Sequence, residues 1–125
     1  MSRLSTHVLD LTTGRPAVGV AVTLEVLNGS AWTRLATATT DEDGRVKDVM
    51  TPGQTAAKPP SPPLTSVPDA GIYRLSFETS AYFAQRGETC FYPQVIVTFE
   101  IQDAARPHHI PLLLSPFGYS TYRGS

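Results

Sequence analysis

The sequence lacks the features that mark disulfide-bonded, membrane-spanning and nucleic-acid-binding proteins. It has one cysteine, Cys90, so no disulfide can form within the chain, and we expect a small, partly buried apolar side chain there. Ten basic and eleven acidic residues leave a formal net charge of -1, so nucleic acid is not expected as a partner. No apolar run approaches the ~20 residues of a membrane span, and the N-terminus has no signal-peptide pattern. These absences predict a cytoplasmic protein with no membrane partner, although a peroxisomal location stays open for a eukaryotic source.

The sequence also lacks the short motifs of cofactor-dependent enzymes. It has no glycine-rich phosphate loop and no nucleophile elbow. Its three histidines, His7, His108 and His109, do not have the spacing of a zinc site. The acidic turn at 40–45 lacks the remaining ligands of a calcium loop. We therefore expect neither a metal nor an organic cofactor.

What the sequence does contain is a series of short segments in which apolar and polar residues alternate. The clearest is 19–27, where every second residue is a valine or leucine, and Asn28-Gly29 after it predicts a two-residue hairpin. One segment, 78–87, has the pattern of a helix with Thr79 or Ser80 as its N-cap. We expect strands at 4–10, 19–27, 32–39, 45–46, 71–77, 91–101, 109–114 and 119–122.

This set of elements predicts an all-β fold, an antiparallel sandwich, in a single domain spanning residues 1–125. The stretch 52–68 is the exception, because it is rich in proline, which cannot donate to a ladder of strands. We expect it to be a long exposed loop inserted into the domain.

Four polar residues stand out through their positions on these strands. His7, His109 and Tyr122 each lie on the face of a strand that points away from the core, and Arg45 opens a strand directly after a turn. If these strands are neighbours in one sheet, the four side chains share one surface, which would suit a cleft shared with a second subunit. Taken singly, each residue is more often only a solvated side chain, so the pattern alone leaves both alternatives open.

Several segments resemble the transthyretin family. They are 4–10 (LSTHVLD), 14–17 (GRPA), 40–45 (TDEDGR), 91–93 (FYP) and 109–116 (HIPLLLSP). The ending YRGS closely resembles the signature of the enzymatic branch of that family, whose members hydrolyse 5-hydroxyisourate in urate degradation. The similarity runs over nearly the whole chain apart from the proline-rich loop.

The resemblance implies a transthyretin-like (prealbumin-like) sandwich of two four-stranded sheets with one short helix. It also implies a homotetramer, built as a dimer of dimers, with active sites in the channel between the dimers. The substrate would be 5-hydroxyisourate and the product 2-oxo-4-hydroxy-4-carboxy-5-ureidoimidazoline, formed by water attack on a ring amide without a metal. The implied catalytic residues are His7, Arg45 and His109, and the implied substrate-binding residues are His7, Arg45, Tyr122, Arg123, Gly124 and Ser125.

The chemistry of amide hydrolysis suits these residue types. An imidazole titrates near neutral pH and can act as base or acid, and a guanidinium can hold an anionic ring and a developing oxyanion. We expect His7 to activate water, His109 to share the proton transfer, and Arg45 to polarise the substrate. The sequence leaves the division of work between the two histidines open.

Two other functions remain as alternatives. One is a carrier of a small apolar ligand, as transthyretin itself is, although that protein lacks the His/Arg/His set and this ending. The other is a structural interaction domain that uses the proline-rich loop.

Overall fold

The computed structural model describes residues 4–46 and 70–124. The predicted loop at 52–68 lies outside the described residues and stays a prediction. The described chain forms two β-sheets and one short helix, α1. The strands and the helix are β1 Leu4–Asp10, β2 Arg15–Pro16, β3 Ala21–Asn28, β4 Ala31–Thr39, β5 Arg45–Val46, β6 Gly71–Phe77, α1 Thr79–Ala84, β7 Val95–Ile101, β8 His108–Ser115 and β9 Gly118–Thr121.

The first sheet has the strand order β2-β1-β8-β9, and the second has the order β4-β3-β6-β7. The short strand β5 also pairs with β1, at residues 6 and 7, beside the place where β2 pairs with residues 9 and 10. The first sheet therefore has five strands where the resemblance implied four. The predicted antiparallel pairing is also wrong at one place, because β1 and β8 run parallel along their length.

One hydrophobic core fills the space between the sheets. Strand β1 alternates between fully buried and half-buried residues, as its sequence predicts, and Ser5 and His7 belong to the half-buried set. On β8 the apolar residues Ile110, Leu112 and Leu114 are buried, while His109 on the opposite face is only half buried. Each fully buried leucine or phenylalanine stabilises the fold by about 1.5–3 kcal/mol. The core therefore fixes which face of each strand is left for chemistry.

Several predicted strand boundaries differ from the structure, most of them by one or two residues, and two of the differences have a clear cause. The first hairpin pairs Asn28 with Ala31, so its two turn residues are Gly29 and Ser30 rather than Asn28 and Gly29. The strand predicted to begin at residue 91 begins at Val95 instead. Pro93 explains the second difference, because it cannot donate to a neighbouring strand.

The helix lies where it was predicted, but its cap was predicted wrongly. Glu78 is the N-cap residue and makes no side-chain capping bond. The hydroxyl of Thr79 instead donates to the carbonyl of Tyr92 at 2.7 Å. Cys90 is half buried, as expected, and its Sγ donates to the same carbonyl. In the ranges 4–46 and 70–124, no helix has the length and apolar character that crossing a membrane requires.

Candidate active site

The pairing of β1 with its two neighbours brings three of the predicted site residues together. His7 lies directly opposite Arg45 in the β1–β5 pair. Two residues earlier on the same face, Ser5 lies directly opposite His109 in the β1–β8 pair. Directly opposite side chains in an antiparallel pair, such as His7 and Arg45, have Cβ atoms ~4.5–5.5 Å apart. In the parallel pair the Ser5 hydroxyl reaches the His109 ring at 2.8 Å. Two imidazoles and a guanidinium therefore share one face of the first sheet.

A tight turn places Arg45 on this face. The carboxylate of Asp41 accepts hydrogen bonds from the backbone N–H groups of Asp43 and Arg45, at 2.8 and 3.0 Å. Gly44, between these two residues, has a φ of 74°, and a Cβ there would lie 2.5 Å from the carbonyl oxygen of Val8. Only glycine fits this close approach to β1. The turn therefore fixes Arg45 beside His7 while leaving its side chain exposed.

The His109 imidazole is the most constrained of the three groups. Its Nδ1 shares a hydrogen bond of 2.8 Å with the hydroxyl oxygen of Ser5. Burial lowers the pKa of His109 below its ordinary value, and the nearby His7 and Arg45 lower it further, while a hydrogen bond to the Ser5 backbone opposes them. The neutral form of the imidazole is therefore favoured near neutral pH.

The C-terminal segment closes over the other side of His109. The Gly124 N–H donates to the His109 carbonyl at 2.7 Å, continuing the pairing of β9 with β8. A Cβ at Gly124 would lie 2.6 Å from Cδ2 of the imidazole. This residue packs directly against the ring, and any larger side chain would displace one or the other.

A cleft of about 320 Å³ opens beside these groups. That volume is at the lower end of the ~300–1,000 Å³ typical of small-molecule sites, so it suits one small heterocycle. His7 lies next to this cleft through its pairing with Arg45. The described residues that line the cleft are Ser5, Thr6, Arg45, Val46, Pro107, His108 and His109.

The remaining predicted site residues have other positions. Tyr122 and Arg123 are exposed and line a second, smaller cavity of about 150 Å³ between the sheets, together with Val97 and Phe99 of β7. His108 lines both cavities. Ser125 lies outside the described residues.

His108 and His109 face opposite ways, as their adjacent positions on a strand predict. His108 is buried, and within the described part of the chain its Nδ1 has no hydrogen-bond partner. We interpret it as a structural residue. The described residues also contain no cluster of three or more histidine, cysteine or acidic side chains that could hold a metal ion.

Sequence reasoning missed the contribution of Ser5. Its hydroxyl hydrogen-bonds to the His109 ring, whereas the sequence showed only that Ser5 shares a face of β1 with His7. The parallel pairing of β1 with β8 was the missing information. Next to it, the Thr6 hydroxyl donates to the Ile110 carbonyl at 2.6 Å and ties the two strands together.

Comparison with known proteins shows likeness over nearly the whole chain. The HIUase/Transthyretin family matches residues 4–124. A 5-hydroxyisourate hydrolase of Salmonella dublin is 43% identical over 122 residues, covering 98% of this chain and 80% of that protein. The structure of Klebsiella pneumoniae 5-hydroxyisourate hydrolase has a TM-score of 0.76 at 38% identity and covers 100% of both chains. Sea bream transthyretin in complex with thyroxine has a TM-score of 0.81 at 31% identity, covering 98% of this chain and 94% of that one. The predicted transthyretin-like sandwich is thus confirmed.

Proposed function

Because the chain belongs to the HIUase/Transthyretin family, we propose that the face carrying His7, Arg45 and His109 is the active site for its reaction. That reaction is the hydrolysis of 5-hydroxyisourate in urate degradation. The observation that supports this placement is the pairing of His7 with Arg45 on one side of β1 and of Ser5 with His109 on the other. Three strands distant along the chain supply one set of groups suited to amide hydrolysis.

Arg45 has the role of holding and polarising the substrate. Its guanidinium is exposed beside the cleft, where it can meet an anionic purine-derived ring. As water attacks the ring amide, negative charge develops on the carbonyl oxygen, and a fixed cationic donor stabilises that charge. A lysine would supply the charge but not the forked pair of donors.

The two histidines carry the proton transfers. One must take a proton from the attacking water, and one must deliver a proton to the leaving ring nitrogen. Each such transfer contributes ~10²–10⁴-fold to the rate. Since the substrate is hydrolysed by water and side chains alone in this mechanism, it calls for no metal or organic cofactor.

The C-terminal residues complete the binding site in this proposal. Gly124 packs on His109, and Tyr122 and Arg123 precede it along the same segment. We assign Tyr122, Arg123, Gly124 and Ser125 to substrate binding. The product is 2-oxo-4-hydroxy-4-carboxy-5-ureidoimidazoline, which retains the new carboxylate formed by ring opening.

We also propose that the protein assembles as a homotetramer, a dimer of dimers with active sites in the channel between dimers. Strands β9 and β7 end the two sheets, and an uncovered edge strand is a site for pairing with another chain. Large apolar side chains are exposed on and beside these edges. These are Ile96 on β7, Tyr119 on β9, and Phe91 and Phe117 in the adjoining loops. Light scattering should give the mass of four subunits, and the mass of one subunit would contradict this assembly.

The direct test of the function is an assay in which the unstable substrate is generated in the cuvette. Urate and urate oxidase generate 5-hydroxyisourate, and its decay is followed by ultraviolet absorbance with and without the protein. We expect the protein to accelerate the decay, and decay no faster than in buffer would contradict the proposal. A ligand carrier would bind without turnover, so the same measurement separates the two functions.

A further inference from the structure

We propose that Ser5 is a positioning residue that holds His109 in one tautomer, with the proton on Nδ1 and the lone pair on Nε2. In this tautomer His109 is the base that activates the attacking water, which leaves His7 to deliver the proton to the leaving nitrogen. This assignment rests on the proposed function and deepens it, because it separates two histidines that the sequence could not tell apart.

The contact between Ser5 and His109 determines which ring nitrogen is engaged. Ser5 Oγ lies 2.8 Å from Nδ1, and among the described residues this is the side-chain hydrogen bond that the His109 ring makes. A serine hydroxyl can donate or accept, so the distance alone does not locate the proton. A base needs its lone pair on the nitrogen that faces the cleft, so in this proposal Ser5 Oγ is the acceptor and Nδ1 carries the proton.

The surroundings keep the ring from turning. Ser5 and His109 are directly opposite partners in the parallel β1–β8 pair. The adjacent hydrogen bond from Thr6 to the Ile110 carbonyl is buried and fixes this register. On the other side, Gly124 lies too close to Cδ2 to admit even a methyl group. With Nδ1 turned toward Ser5 and Cδ2 against Gly124, Nε2 is the nitrogen left for water in the cleft.

A base must be neutral to accept a proton, and the charges around His109 favour that state. The groups that face it are His7 on β1 and Arg45 on β5, both of which disfavour a second positive charge. The proton balance is then complete. Water loses a proton to Nε2 of His109 as its oxygen bonds to the ring carbonyl carbon, and the C–N bond breaks as the nitrogen gains a proton from His7.

Two substitutions at one position test this role. Ser5→Ala removes the hydroxyl, and Ser5→Thr keeps it on a residue that favours strands. We expect Ser5→Ala to lower kcat on the order of 10-fold with KM within about twofold, because positioning of the base affects the chemical step rather than binding. Ser5→Thr should recover most of that loss. Thermal unfolding of both variants serves as the control for folding.

The tautomer is read directly by NMR of the protein with ¹⁵N-labelled histidine, at a pH where His109 is neutral. His7→Gln and His108→Gln variants assign the signals. We expect Nδ1 of His109 to carry the proton in the unsubstituted protein and the Ser5→Ala variant to shift toward the other tautomer. A proton on Nε2, or an unchanged kcat in Ser5→Ala, would overturn the proposal.

The NMR measurement needs no substrate. A protein without hydrolase activity would therefore contradict the proposed function and leave the tautomer to be judged by itself. An active protein with the proton on Nε2 would contradict only this inference.

Discussion

The two ends of β1 use polar side chains in opposite ways. At one end, Asp10 is fully buried and accepts hydrogen bonds from the Tyr82 hydroxyl at 2.7 Å and from the Thr12 backbone N–H at 2.9 Å. The Thr12 hydroxyl also donates to this carboxylate, and Arg86 lies 3.9 Å from it. Toward the other end, His7 and Arg45 lie beside an open cleft.

The pKa values reflect this difference. Burial alone would raise the pKa of Asp10, but hydrogen bonds from Thr12 and Tyr82 outweigh it and lower the pKa. Burial and the bonded carboxylate raise the pKa of the Tyr82 phenol. At His109 burial and the nearby His7 and Arg45 lower the pKa, which favours a neutral imidazole on this face of the sheet. One end of the strand therefore satisfies its polar groups for stability, and the other leaves them available for a substrate.

The largest expected effect on activity comes from a substitution beside the cleft, at Arg45. Arg45→Ala should lower kcat/KM by about 10²–10³-fold, because it removes the fixed donor that stabilises the developing oxyanion. Its thermal unfolding should change little, since the side chain is exposed. Arg34→Ala, an exposed arginine on β4, is the matched control and should retain full activity. Comparable loss in both variants would contradict the assignment of Arg45.

A substitution in the buried hydrogen-bond cluster around Asp10 should affect stability rather than activity. Tyr82→Phe removes one donor from the buried Asp10 carboxylate, which should lower the free energy of unfolding by about 1–3 kcal/mol. Urea unfolding measures the change, and kcat of the folded variant should stay within about twofold of the original. An active-site role for this cluster would appear as a loss of kcat without a loss of stability.

A third variant tests whether the packing of Gly124 against the His109 ring matters for catalysis. Gly124→Ala places a methyl group against the His109 ring, and we expect it to lower kcat about 10-fold by displacing the base. Gly118→Ala is the control, because its Cβ would have only an ordinary contact, with Ser115 Oγ at 3.8 Å. Equal activities of the two variants would show that the contact with His109 is unimportant.

The smallest expected effect is a shift in the pH dependence of kcat/KM. Because the pKa of His109 is lowered, the base stays neutral below the ordinary histidine value of ~6.5, and kcat/KM should begin to fall only under that pH. The same shift makes the unfolded chain bind more protons than the folded one as pH decreases, so this residue's contribution to stability is present above ~6.5 and is lost below it. Arg45→Ala should raise the pKa of His109, measured by NMR titration. A downward shift would contradict the role of Arg45 charge.

Local sequence patterns were sufficient for much of the fold. The two-residue period predicted β1, β3, β6 and β8 closely, and it placed His7 and His109 on faces that point away from the core. Pairing was harder, because Ser5 and His109 are 104 residues apart and no local signal records that their strands run parallel. Resemblance to a family supplied the candidate site residues. Neither source pointed to Ser5, since a serine on a strand carries no signal until its partner is known.

The central claim is that His7 and His109 act together on one substrate, and a double-mutant cycle tests it most directly. His7→Gln, His109→Gln and the double variant are compared by kcat on 5-hydroxyisourate generated from urate. If the two histidines share one proton-transfer mechanism, kcat of the double variant should lie within about 10-fold of kcat of the less active single variant. Losses that multiply in the double variant would show two independent groups and contradict the account.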